Sequence, residues 1–238
     1  MRCWVPGARC RVLGAWCIML VLFATAASAQ TFDSPAPRLH HATISGGASW
    51  TGTYAVGGSN ATLRTNATGA TPTPFTLFST SSTVDHAAGV LVRAGFALTR
   101  SITIEGGGSF SEPSLATHIS QDPEQAAPAD ASEQLHQFVI DAGIVWSLPL
   151  HLGSRTRLFA SGGGGYLRQL HEHRTLVETG SVYYAGTGVN VWLHGGHGPT
   201  RSLGLRGDAR MNWRRSGIEF DDKTRAFPTL SLVLFVGL

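Results

Sequence analysis

Arg206, Asp208 and Arg210 stand two residues apart in Ser202 to Trp213, SLGLRGDARMNW, so in an extended chain all three charges leave the backbone on one side. Leu203, Leu205, Gly207, Ala209, Met211 and Trp213 leave it on the other. That is period two, which argues against a helix. It fits a half-buried strand of a soluble sheet, or a strand with lipid on one face and a polar lumen on the other.

Two histidine groups offer other chemistry. His171-Glu172-His173 places two imidazoles on one side of an extended chain, the start of a metal site, but no third ligand has readable spacing, and no metal is expected. His118 with Ser120 is a base and a hydroxyl two residues apart, the minimum for acyl transfer on lipid. The pair lies in a polar stretch without further catalytic surroundings, so the chain is expected not to be an enzyme and to carry no cofactor. His40-His41, and His194 with His197, read as solvated or interfacial.

The elements that would hold these residues begin after a leader. Arg2, Arg9 and Arg11 precede an apolar run from Gly14 to Ala27 and a small-residue site at Ala27-Ser28-Ala29, so residues 1–29 read as a cleaved secretory signal. The run is shorter than the roughly 20 residues of a spanning helix. Cys3, Cys10 and Cys17 all lie within residues 1–29, so the remainder has no disulfide, thiolate metal ligand or Cys nucleophile. Taking the leader's three arginines from the 18 basic residues leaves as many as the 15 acidic ones, and the arginines form no stripe. No nucleic-acid partner is expected.

Residues 30–40, with two prolines, read as a flexible lead, and 41–238 as one domain. Ala42 to Val56 alternates: Ile44, Ala48, Trp50, Tyr54 and Val56 lie on one side, Thr43, Ser45, Ser49, Thr51 and Thr53 on the other. Val90 to Leu98 and Ile102 to Phe110 form a hairpin around Arg100, with Arg93 and Glu105 on the polar faces. Phe138 to Leu148 sets Asp141 opposite Ile140, Ile144 and Trp146. Arg157 to Leu167, Ala185 to Leu193, Ser202 to Trp213 and Phe227 to Leu238 complete eight strands. The polar stretches Gly57 to His86, Glu112 to Ala131, Arg168 to Gly180 and Arg214 to Arg225 read as long loops.

Long loops after strands one, three, five and seven alternate with short links after two, four and six. A soluble sandwich has no reason to sort its loops this way, whereas a barrel spanning an outer membrane does. Trp50, Tyr54, Trp146, Tyr166 and Trp213 suit its interfacial girdles. With the apolar faces toward lipid, Arg93, Glu105, Asp141, Arg206, Asp208 and Arg210 point inward, and Arg157 is a further candidate. Eight strands leave an interior filled by side chains, so these charges are expected to pair as a polar lumen network.

This pattern resembles the small eight-stranded outer-membrane barrels, the superfamily of OmpA-like barrel domains. The likeness rests on the alternation throughout and on Leu230, Leu232, Leu234, Val236 and Leu238, which look like the terminal strand signal read by the barrel-insertion machinery. The resemblance implies an all-β, eight-stranded antiparallel up-and-down transmembrane barrel in a bacterial outer membrane, with a structural or surface-interaction role. Its implied partners are outer-membrane lipid, lipopolysaccharide and the insertion machinery. The alternatives are a narrow ion or small-solute conduit and a lipid A-modifying barrel enzyme.

Overall fold

The computed structural model describes residues 41–64, 74–121, 129–151, 155–172, 176–194, 202–218 and 223–238; the leader, the lead and His173 lie outside them. The described strands are β1 Ala42–Thr51, β2 Tyr54–Arg64, β3 Pro74–Val84, β4 Ala87–Ala97, β5 Ile102–Ser111, β6 Ser114–Ser120, β7 Ala129–His151, β8 Thr156–His171, β9 Val177–His194, β10 Ser202–Ser216 and β11 Arg225–Gly237.

Eight of them close a barrel. In the cyclic order β1, β4, β5, β7, β8, β9, β10, β11 each is bonded antiparallel to two neighbours, and β11 returns to β1 through Thr43↔Gly237 to Thr51↔Thr229. Closure leaves no edge within the barrel, which is what lets strands cross a bilayer. Side chains alternate along them: in β10 Ser202, Gly204, Arg206, Asp208, Arg210, Asn212 and Arg214 are buried, and the residues between them are not. Outside, Val90, Val92, Ile140, Ile144, Leu232 and Leu234 form an exposed apolar belt. Such a belt around a charged interior is the arrangement of a transmembrane barrel.

The remaining strands correct the loop assignment. Within Gly57 to His86, β2 and β3 pair as a hairpin, and within Glu112 to Ala131, β6 pairs with β3 and with the first residues of β7. The result is a four-stranded sheet raised beyond the barrel on the side of the long connections. It was illegible as strand because its residues are mostly Thr, Ser, Ala and Gly, and a sheet standing in water need not alternate in polarity. Likewise β8 runs to His171 and β9 begins at Val177, inside the segment Arg168 to Gly180 read as loop, and β10 takes Arg214 with it.

Tyr54 is a second correction. Ser45, Ser49 and Thr51 are buried on β1, so odd positions face inward there, whereas Tyr54 and Val56 are buried on β2. The facing switches at Gly52-Thr53, between β1 and β2, where Gly52 N–H donates to Pro228 O at 2.8 Å. A Cβ on Gly52 would come within 2.7 Å of Pro228 Cγ. Tyr54 therefore leaves the girdle and enters the barrel, while Trp50, Trp146, Tyr166 and Trp213 stay on the outer surface.

Candidate functional site

The lumen holds the six charges that the alternation points inward. Asp208 lies at the centre: its Oδ2 accepts from Arg93 Nη1 at 2.9 Å, Arg206 Nη2 at 3.0 Å and Arg210 Nη2 at 3.2 Å. Glu105 accepts from Arg206 Nη1 and, at 3.4 Å, from Arg210 Nη2, and lies 3.7 Å from Arg93 Nε. Asp141 Oδ2 is 3.7 Å from Arg210 Nη1. Three cations thus meet three anions, and each burial is compensated by an opposite charge, the condition under which buried ions are tolerated.

Inward glycines make room for this cluster. A Cβ on Gly107 would lie 2.6 Å from Arg93 Cγ, and one on Gly143 or Gly163 would lie 2.4 or 2.7 Å from Tyr184 Oη. Tyr184 in turn lies under Arg210, 4.2 Å from guanidinium carbon to ring centroid, and Phe159 lies under Arg206 at the same distance. Stacking on a ring offsets part of a guanidinium's lost hydration.

A second layer, which sequence reasoning missed, sits nearer the long connections. Arg214 is fully buried; its Nη1 donates to Tyr54 Oη at 3.0 Å and Gln169 Oε1 at 3.3 Å, and its Nη2 donates to Ile218 O. Gln169 Nε2 donates to Gln137 Oε1 at 2.9 Å. The signal for Arg214 was available, since it continues the even-numbered series Arg206, Asp208, Arg210, Asn212. Its neighbour Arg215 made the stretch look like a charged loop. Around this layer Tyr54, Val56, Val84, Leu115, Leu135, Leu167, Val182, Ile218 and Phe227 pack into an apolar cluster, with Tyr54 stacked on Phe227 at 4.7 Å.

Two small spaces lie among the described lumen residues. One of about 80 Å³ is lined by Glu105, Arg157, Asn190, Trp192 and Arg206 on the side of the short links; another of about 50 Å³ is lined by Arg93, Gln137, Asp141 and Arg210 beneath the apolar cluster. Arg157 thus faces the lumen but lies outside the central network. Asp141 Oδ1 has no protein partner, and the space beside it is large enough for water.

The histidines are placed differently from the pairs read in the sequence. His118 Nδ1 is bonded to Asp130 Oδ1 at 2.6 Å, while Ser120 lies opposite Ser79. His171 Nδ1 is bonded to Glu133 Oε2 at 2.9 Å. Among the described residues no group of three or more His, Cys, Asp or Glu side chains is placed to hold a metal.

No family model matches the chain, and no curated protein matches it. Among solved structures it is similar to the outer membrane protein OprG from Pseudomonas aeruginosa, with 8% identity, a TM-score of 0.48 and coverage of 84% of this chain and 96% of that one. It is also similar to Ail, the attachment invasion locus protein of Yersinia pestis, with 11% identity, a TM-score of 0.41 and coverage of 83% and 99%. A third is the N-terminal β-barrel domain of Pseudomonas aeruginosa OprF, with 9% identity, a TM-score of 0.39 and coverage of 83% and 99%. At these identities the likeness is one of fold.

Proposed function

We propose that this chain is a plugged barrel of a bacterial outer membrane, with a structural or surface-interaction role and no continuous path for solute. The observation that carries the reading is the double closure of the lumen. Ions approaching from the short-link side meet the Arg93, Glu105, Arg206, Asp208 and Arg210 network; beyond it Arg214 and the apolar cluster around Tyr54 and Phe227 fill the section. An ion crossing would have to displace several charge-assisted bonds and then enter an apolar layer, each unfavourable in a low dielectric.

The surface half of the reading is supported by the raised sheet. Among the described residues β2 is bonded on one side to β3, and β7 pairs with β8 from Leu135 onward, so within that set two runs of backbone at the sheet's margins could accept a partner strand. Lipopolysaccharide around the apolar belt, and insertion machinery acting on β11, are the further partners this reading implies.

The test is planar-bilayer recording on the purified, folded protein. No resolvable conductance steps are expected; stable unitary steps would overturn the plug in favour of a narrow conduit.

A further inference from the structure

The raised sheet carries an alignment unrelated to the lumen. In its register Ser81 of β3 lies directly opposite His118 of β6, and His118 lies directly opposite Asp130 of β7. Directly opposed residues share a face, with Cβ atoms about 4.5 to 5.5 Å apart. Since Ser82, Val84 and Leu115 are buried on the inner side, the row Ser81, His118, Asp130 stands on the outer one, and all three are exposed. The next row toward the barrel is Thr83, Ala116 and Ser132, and the two rows line a depression of about 230 Å³.

His118 Nδ1 and Asp130 Oδ1 are 2.6 Å apart. A carboxylate can only accept, so Nδ1 carries the proton and Nε2 of the neutral ring is left as the base. A hydroxyl on one side of a histidine and a carboxylate on the other is the order of a nucleophilic triad. Opposite Ser81 on its other side is Gly58, where a Cβ would lie 2.2 Å from Thr80 O, so only glycine fits against this stretch of β3.

We propose that Ser81, His118 and Asp130 form a hydrolytic site for short-chain acyl esters carried on a polar group. Ser81 Oγ attacks the ester carbonyl carbon as its proton passes to His118 Nε2. The C–O bond to the alcohol then breaks, and the departing oxygen takes that proton from the imidazolium. Water, deprotonated by His118, attacks the acyl-serine, releasing the carboxylic acid and restoring Ser81. Asp130 holds the ring and stabilises its charged form; the hydroxyls of Thr83 and Ser132 are the donors available to the carbonyl oxygen. The lining of hydroxyls and alanine methyls suits a small acyl group. Ser81 is six residues beyond Ala87, which pairs with Thr51 beside the girdle residue Trp50. At about 3.3 Å per residue that lifts the site clear of the acyl layer, so the ester comes from the aqueous side. The site departs both from the expectation of a non-enzymatic chain and from the pairing of His118 with Ser120, and it stands independently of the plugged lumen.

The experiment is labelling of the folded, full-length protein in detergent with a fluorophosphonate, which forms a Ser Oγ–P bond and releases fluoride, followed by peptide mass mapping. The adduct is expected on Ser81, reduced at least tenfold in His118→Gln and less in Asp130→Asn. Hydrolysis of p-nitrophenyl acetate is expected to exceed that of the decanoate and to vanish in Ser81→Ala, whose folding is checked by gel mobility before and after boiling. Absence of a Ser81 adduct in the wild type, labelling spread equally over Ser79 and Ser132, or hydrolysis undiminished in Ser81→Ala would each overturn the proposal. The wild-type mapping needs no variant, so a misfolded mutant does not shelter it.

Discussion

Arg93 Nη1 donates to Asp208 Oδ2 at 2.9 Å, tying β4 to β10 across the lumen although neither strand neighbours the other in the barrel. The bond spans two intervening strands, β1 and β11. Asp208 accepts hydrogen bonds from three guanidinium groups, Arg93, Arg206 and Arg210, where Glu105 accepts them from two.

Asp208→Ala strands those cations in a buried site and is expected to cost about 3 to 5 kcal/mol. The loss should shrink when Arg210→Met is added, because one of the stranded charges goes with it. Urea titrations read by gel mobility of unboiled protein measure both; strictly additive effects would mean that the two residues are not coupled.

Tyr54→Phe keeps the ring under Arg214 and the stack on Phe227 but removes the oxygen that Arg214 Nη1 and Gln169 Nε2 both use. A buried guanidinium that loses an acceptor costs about 1 to 3 kcal/mol. The same urea titration checks it, and a change under about 0.5 kcal/mol, the range of an ordinary surface substitution, would show that the second layer is not held through this hydroxyl.

On the lipid side, Leu232 is exposed on β11 and pairs with Gly207, midway along the strand. Leu232→Arg is expected to lower stability in bilayers by about 2 to 4 kcal/mol, and Leu232→Val to be mild. Folding yield into lipid vesicles reports the difference. Equal yields would place that face away from lipid.

The switch at Gly52-Thr53 makes a sharper prediction, because residues 30 to 238 contain no cysteine. Ala55 is exposed and Val56 fully buried. A water-soluble maleimide should therefore label Ala55→Cys and spare Val56→Cys. The reverse pattern would mean that the facing of β1 runs unbroken into β2.

Residue order alone determined the wall. Wherever one side of a strand meets lipid and the other meets a polar interior, polarity must alternate, and Arg93, Glu105, Asp141, Arg206, Asp208 and Arg210 were assigned to the inside on that ground. The alternation is faint where small hydroxylated residues occupy both faces and only the base of the sheet is buried, so β2, β3 and β6 do not stand out, and it cannot register a change of facing, so it puts Tyr54 outside. Which charge meets which, the burial of Arg214 against Tyr54, and the alignment of Ser81, His118 and Asp130 were decided only by tertiary structure. Arg93 and Asp208 are 115 positions apart, His118 and Asp130 12, and Tyr54 and Arg214 160. They follow from strand order and register around a closed barrel, and no local pattern encodes either.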